Sequence, residues 1–512
     1  MASPGFNLIY YVSLYGAKWD GVTDDAAAIQ ATIDAASAAG GGTVVLPVGK
    51  GAFGSQLNVP AFVRLIGNGL WITQLNALSS SQNGITVTGK YAQVSDFFLS
   101  APLGNTGTGL SIASSPNCIF KNLQISEFIS GFAQQQSPDA NIENVLCSNS
   151  SNSNSIGFTI DGTVKGNVSS IYRDCSAVGL QTGTNDKLNA ANAGKTGWHI
   201  FSSTANGDCG DLSFFNCSVS NAGTAAKIDF TNALQYSDAS SDIIWEDFVF
   251  DLFTGYGFQI LGGDDATLVK LNGGFLDAAP YGTSSVVGIY GSNRGLLISG
   301  IEWIPVLTSF SFGAYATFIA GQDAVVTGCS FNGWDHGLYV DGGKVTAIGN
   351  RFFTTEGAAG SLIGRTMNAV EVYNSTGSIV TGNLIGASVS HGIATAITFE
   401  SSAGFCAAIS NDLTSANIDA KVLNNSATSI LADNPGYNPV GAMVPPTVTT
   451  GTYTYTNSSG VLQFVNVSGG NVTSITANGV LTGLLAGSFA VPSGKSLVVV
   501  NTAAPTLTVS GD

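Results

Sequence analysis

Charge is scarce in this sequence. Only 10% of its 512 residues are Asp, Glu, Lys or Arg, and 33 acidic residues face 17 basic ones. The formal net charge of −16 repels polyanions, so nucleic acid and anionic lipid surfaces are excluded as partners. No uninterrupted apolar run is long enough to cross a bilayer, and no membrane insertion is expected. The stretch Val480–Val491 comes nearest, and Gly, Thr and Ser break it. Met1-Ala-Ser-Pro4 lacks the basic and apolar regions of an export signal, so synthesis in a cytoplasm is expected. The three histidines, His199, His336 and His391, lie far apart without metal-ligand spacing. Phosphate-loop, dinucleotide and Gly-x-Ser-x-Gly strings are also missing. No metal and no cofactor are therefore expected. Seven cysteines, an odd number at wide spacings, make a poor disulfide framework.

What the chain has in abundance is Gly, 65 residues of it, together with Ser, Thr and Asn, the residues of many short strands and turns. A pattern recurs down its middle: apolar, any residue, then Asn, Asp or Gly, two residues of any type, then apolar. It reads Val94-Ser95-Asp96-Phe97-Phe98-Leu99 and returns at Phe120–Ile125, Tyr172–Ala177, Phe214–Val219, Trp245–Phe250 and Lys270–Phe275. It continues at Ile298–Trp303, Val326–Phe331, Ala347–Phe352 and Val380–Ile385, with weaker copies around Asn144 and Asn411. Lys270–Phe275 breaks the apolar rule at its first residue if Asn272 is its central residue. Central residues lie 21 to 42 positions apart, the size of one coil in a stacked array. Asn, Asp and Gly tolerate the left-handed backbone that a tight corner between two strands requires. No long amphipathic helix separates the copies. The fold class this predicts is all-β, a right-handed parallel β-helix. Cys175, Cys217 and Cys329 each follow a corner by one place and are expected to point inward as packed thiols.

Tyr15-Gly-Ala-Lys-Trp-Asp-Gly-Val-Thr-Asp-Asp25 precedes a helical stretch with Ile29 and Ile33 on one stripe, then Gly40–Gly42 and the strand-like Thr43–Leu46. Thr23 is the expected N-cap, with Asp24 and Asp25 in the first turn. This segment resembles the N-terminal motif of the pectate-lyase-like superfamily seen in phage tailspikes and related polysaccharide-degrading β-helix proteins. The resemblance implies that Asp20, Asp24 and Asp25 are structural, that the helix covers the open end of the coil, and that the chain is a homotrimer on a phage tail or baseplate. It places the protein in a virion tail, made in the host cytoplasm and acting at the bacterial surface on a bacterial polysaccharide. Residues 1–50 are the arm and cap, 51–432 the β-helix and 433–447 a Pro- and Gly-rich linker. Residues 448–512 form an all-β segment that resembles the small C-terminal domains of phage spikes and fibres, which trimerise the shaft or contact sugar.

Outward residues at equal offsets from successive corners should form vertical columns about 4.8 Å apart. Asp335 and Glu356 each lie seven places after a corner glycine, Gly328 and Gly349, and should stack one rung apart beside Trp334 and His336. They are the first candidates for the acid and the base or nucleophile of glycoside hydrolysis, with Trp334 and His336 against the sugar. Glu246 faces outward on the Trp245–Phe253 coil, where Asp251 lies near Asp277 of the next coil in register. Glu302 is expected two rungs from Arg351 in one column. The widest interval contains residues 181–203, with Lys195, Trp198 and His199, and Trp198 is a candidate sugar contact. The function expected is depolymerisation by hydrolysis. Rival readings are a receptor-binding spike without activity, a polysaccharide lyase and an intramolecular glycosyl-transferring enzyme.

Overall fold

The computed structural model describes residues 8–149, 152–163, 169–179, 194–204, 209–231, 241–262, 267–278, 286–304, 314–354, 367–388, 392–437, 446–458 and 462–511. The chain divides into two compact units, residues 1–317 and 318–512.

In the first unit, strand Ile9–Tyr11 pairs in parallel with Gly42–Val45 across helix α1, Ala26–Ala38. The helix buries Ile29 and Ile33, and Gln30 exchanges two hydrogen bonds with the backbone of Asn58 on the strand Leu57–Val59. The aspartates organise the turn before the helix. Asp20 accepts from the backbone N–H of Val22 and Thr23, which with the Thr23 hydroxyl holds its carboxyl down at about 2. Asp24 accepts from Ala26 and Gly54 N–H, and Asp25 from Lys18 and Trp19 N–H. Asp25, not Thr23, occupies the N-cap, because the Thr23 hydroxyl is taken by Asp20.

Each following coil bends at its corner and stacks in parallel on the next. Ile119–Ser126 pairs with Gln93–Ser100 on one side and Asn141–Asn149 on the other, and Ser130–Gln135 lies between Thr108–Ala113 and Ile156–Asp161. This is a right-handed parallel β-helix. Asp96, Asn122, Asn144, Asp174, Asn216, Asp247 and Gly300 all have φ between 50° and 65°, the left-handed corner the pattern predicts. The corner amides also bond along the stack: Asn122 Nδ2 donates to Asp96 Oδ1 (2.8 Å), Asn144 to Asn122 (3.0 Å) and Asn216 to Asp174 (2.6 Å). One corner differs from expectation. Gly273, with φ 69°, turns the chain, and Asn272 stands exposed before it. Leu271, buried opposite Trp245, is the inward residue that Lys270 failed to supply.

Inside, flat rings stack from rung to rung, Phe158 on Trp198 at 3.9 Å and Phe214 on Trp245 at 4.1 Å. The seven cysteines are free and buried, including Cys175, Cys217 and Cys329. Burial pushes the Cys118 thiol up to about 11 and raises Cys147 and Cys175 as well, so these are inert packing groups.

The second unit uses Gly at its corners, Gly328, Gly349 and Gly382, with φ 62–64°. The residue after each corner points inward, Cys329 after Gly328 and asparagine after Gly349 and Gly382. Asn350 Nδ2 donates to Asn383 Oδ1 (3.0 Å), Asn383 to Asn411 (2.8 Å) and Asn411 to Asn434 (2.9 Å), and each also donates to a backbone carbonyl. Asn411 is therefore inside and Ser410, with φ 55°, is the corner, one place earlier than the sequence pattern puts it. The last coil strand described is Ile430–Ala432. Beyond it, Gly451–Thr456, Asn471–Ala477, Val480–Leu481 and Ser496–Ala503 form one antiparallel sheet, and Gln463–Ser468, Gly487–Val491 and Thr506–Gly511 another, around Val465, Ile475, Val491, Leu497 and Val499.

Replacing Asn411 by Ala removes a donor and an acceptor from a dry ladder, at a cost of about 1–3 kcal/mol for each partner left unpaired. A clear fall in the thermal midpoint by circular dichroism is expected, and an unchanged midpoint would refute the ladder's role in stability.

Candidate functional site

A coil strand exposes alternate residues, and parallel stacking aligns them across rungs. On strands Ser241–Phe253 and Thr267–Ala278 the register pairs Glu246 with Asn272, Val249 with Phe275 and Asp251 with Asp277. Extended through neighbouring strands, it gives three outward columns. Before the corner stand Arg173, Phe215, Glu246, Asn272 and Ser299. Two places after it stand Ser176, Ser218, Val249, Phe275 and Glu302. Four places after it stand Ser220, Asp251 and Asp277.

The Asp251–Asp277 pair is the site's distinguishing feature. Two carboxyls are stacked on adjacent rungs, half-buried and hydrogen-bonded to each other. Burial, then the adjacent Asp251 carboxylate, pushes Asp277 up to about 7. Burial raises Asp251 too, but its hydrogen bond from Asp277 acts the other way. Both carboxyls are raised by burial, Asp277 the further, and the two titrate as a pair. Glu302 is exposed on the next rung, opposite Phe275, two residues along from Asp277 on the same face.

The other sequence candidates fall in different places. Glu246 is outward and half-exposed, but the corner at Asp247 separates it from Asp251. Trp198 is 0% exposed and stacks inside the coil, because its register opposite Phe158 and Ala226 points inward; it is no sugar contact. Trp334 is 1% exposed. The left-handed Gly333, φ 68°, adds a turn that sends the indole into the core instead of outward. Asp335 and His336 are half-buried at the start of the strand His336–Asp341, and Glu356 lies outside the described residues. His336 Nδ1 hydrogen-bonds Glu371 Oε2, a partner that no pattern in the sequence marks. Arg351 is exposed, with its guanidinium 4.1 Å above the Phe353 ring. Lys270 is held by Asp242 at 2.6 Å.

A separate small pocket of about 20 Å³ opens among Gly157, Ala177, Gly179, Thr196 and Gly197, with Lys195 in its wall. Lys195 is buried, and desolvation lowers its pKa against the opposing pull of Glu127. Among the described residues no group of three or more His, Cys, Asp or Glu is arranged to hold a metal ion, and no helix is long and apolar enough to cross a membrane.

Residues 10–242 match the family described as rhamnogalacturonase A/epimerase, pectate lyase-like. That match spans a little under half of the chain. Its similarity to curated proteins is local. An 84-residue stretch is 43% identical to mannuronan C5-epimerase AlgE1 of Azotobacter vinelandii, covering 15% of this chain and 6% of that protein. A 92-residue stretch is 40% identical to alginate lyase 7 of the same organism, covering 15% of this chain and 11% of that protein. The chain thus spans only a small part of the curated relatives it matches. Among solved structures, the β-helix is similar to the tailspike protein of E. coli bacteriophage HK620 in complex with pentasaccharide, with a TM-score of 0.52 and 11% identity over 98% of this chain and 92% of that one. At that identity the likeness is one of fold.

Within this β-helix the Asp251–Asp277 pair has a thermodynamic signature. The folded pKa of Asp277, about 7, lies above its ordinary value of 3.8. Its contribution to stability is therefore full below the unfolded pKa and is lost as pH rises through the folded one. Between about pH 4 and pH 7, the thermal midpoint of the wild type should fall relative to that of Asp277→Asn. Parallel curves would refute the shared proton.

Proposed function

We propose that the protein is a tailspike-like depolymerase that binds and hydrolyses a bacterial surface or exo-polysaccharide. The observation that carries this is the stacking of Asp251 and Asp277 on adjacent rungs, where burial raises both carboxyls. A neutral carboxylic acid near pH 7 is what protonation of a glycosidic oxygen needs. Hydrogen-bonded carboxyls are too close to act as the acid and the second carboxylate of a glycosidase, which stand at least ~5 Å apart. Asp277 is thus the acid, Asp251 sustains its proton, and Glu302 is the second carboxylate. One rung across and two residues along puts Asp277 and Glu302 roughly 8 Å apart at Cα, which suits the water-activating arrangement of inverting enzymes, about 6.5–9.5 Å. Asp335 with Glu356 is the second candidate pair, and Glu246 is an outward carboxylate on the neighbouring sheet. His336 and Arg351 are proposed glycan contacts. The fold shared with an oligosaccharide-bound tailspike supports a glycan as ligand, a phage tail as the protein's place and a homotrimer as its assembly.

One observation favours a lyase instead. A buried lysine with weakened proton affinity, such as Lys195 in its pocket, is suited to abstract a proton from a sugar ring.

Asp277→Asn and Glu302→Gln should each lower cleavage by about 10²-fold or more, with binding retained and products that are intact oligosaccharides plus water by mass spectrometry. Wild-type activity should fall as pH rises through about 7, where Asp277 loses its proton. Full activity in both variants would eliminate this pair. Unsaturated, ultraviolet-absorbing products lost in Lys195→Met would establish a lyase. Binding with no product from any arm would leave a recognition spike. Deleting residues 441–512 should weaken trimer assembly, and an unchanged sedimentation coefficient would refute that role.

A further inference from the structure

A second group of outward residues lies wholly within residues 318–512, on the strands His336–Asp341 and Met367–Tyr373. Their register pairs His336 with Asn368, Tyr339 with Glu371 and Asp341 with Tyr373, and extends to Thr395 opposite Asn368. Three half-exposed rings step across this face. Phe318 and Tyr339 have centroids 4.9 Å apart and Tyr339 and Tyr373 5.0 Å apart, tilted at 43° and 31°. Beside them runs a polar column of His336, Asn368 and Thr395. Glu371 sits at an outward register position yet is only 6% exposed, roofed by this cluster and hydrogen-bonded to His336. Asp341 Oδ1 accepts from Asn374 Nδ2 at 2.7 Å.

A rigid sheet presenting half-exposed aromatic rings beside a few oriented polar groups is the composition of a small-molecule binding surface. Its ring-to-ring step of about 5 Å, with Tyr373 one rung across and two residues along from Tyr339, is close to the length of one pyranose unit. The carbon-hydrogen face of a sugar packs on an aromatic ring, and carboxylate and amide oxygens accept its hydroxyls. The charge on this face bears on which sugar. Neither of the two described strands contains a lysine or arginine, while Asp335 and Asp341 supply carboxylates and Glu371 lies beneath. A uronate would bring a further negative charge against them, with no lysine or arginine on these strands to receive it.

We infer that this face is a glycan-binding site for an uncharged saccharide, a neutral hexose or N-acetylhexosamine unit, and that it does not accept polyuronate. The inference rests on the polysaccharide-directed function proposed above and adds its substrate class. Phe318, Tyr339 and Tyr373 are the stacking platform, His336 and Asn368 the hydrogen-bonding edge, and Glu371 the positioning residue that orients the His336 ring.

Affinity electrophoresis of the full chain tests it. The gels would contain a panel of neutral O-antigen polysaccharides or, separately, alginate and polygalacturonate. Retention by a neutral glycan is expected, weakened about tenfold or more in Tyr339→Ala and Tyr373→Ala and kept in Tyr339→Phe, which preserves the ring. Tyr339→Leu keeps the apolar bulk and should also lose retention, so a misfolded alanine variant does not leave the question open. Retention by alginate or polygalacturonate alone would overturn the substrate class. Retention undiminished in every tyrosine variant would overturn the site while leaving a depolymerase elsewhere on the chain intact. Loss of self-association in Tyr339→Leu, with glycan retention unchanged, would make this face a subunit contact and overturn the site as well. Retention by no glycan would overturn both this site and the proposed function.

Discussion

Everything in this molecule follows from the parallel hydrogen bonding of one coil to the next. With strands held about 4.8 Å apart, each residue has fixed neighbours one rung above and below, and like is stacked on like. The corner must recur at the same place in each coil, and left-handed backbone makes it there, so Asn, Asp or Gly returns at nearly every described corner, with Ser410 in their place at one. Where the corner carries an amide, amides bond on the outside, as Asn144 does to Asn122. In the second unit an amide ladder runs inside, through Asn350, Asn383, Asn411 and Asn434, each one place after a left-handed residue. Both solutions satisfy polar groups along the stack, and the inner one does so in a dry core where an unpaired amide is costly.

The same constraint brings like charges together, and the proposed chemistry rests on that. Asp251 cannot avoid Asp277, because the register holds them on adjacent rungs. Burial raises both, and repulsion by Asp251 raises Asp277 the further, at the cost of stability above its pKa. The aspartates before helix α1 show the opposite outcome for the same side chain. Asp20 is met by backbone N–H groups and stays ionised to low pH. Residue type alone does not separate a turn-former from an acid; the partners supplied by the neighbouring segments do.

The comparisons place the scaffold more firmly than the chemistry. The pectate-lyase-like match over residues 10–242 stops short of the coil corners at Asp247 and beyond. The strands carrying Asp251, Asp277 and Glu302, and those carrying His336 and Glu371, lie past it. A β-helix separates these matters physically, since inward residues and corners hold the coil while outward columns vary without disturbing it.

The coil and its handed corners were legible in the sequence because both are local. A corner is written in one residue, and a buried strand in its apolar neighbours. Local reading slipped by one residue at Gly273 and at Ser410, where two adjacent residues both suit a turn. The pairing of Asp251 with Asp277 was visible only as a coincidence of register. The fates of Trp198 and Trp334 were not visible, since which face an aromatic takes depends on turns such as that at Gly333. Glu371 carried no signal at all, its importance arising from a histidine 35 residues away in the chain. By itself the sequence determined a stacked β-coil with Asn, Asp and Gly corners, because backbone conformation is set residue by residue. Only the tertiary structure decided which carboxyl is raised furthest and which rings face outward, because desolvation and register belong to neighbours on other rungs.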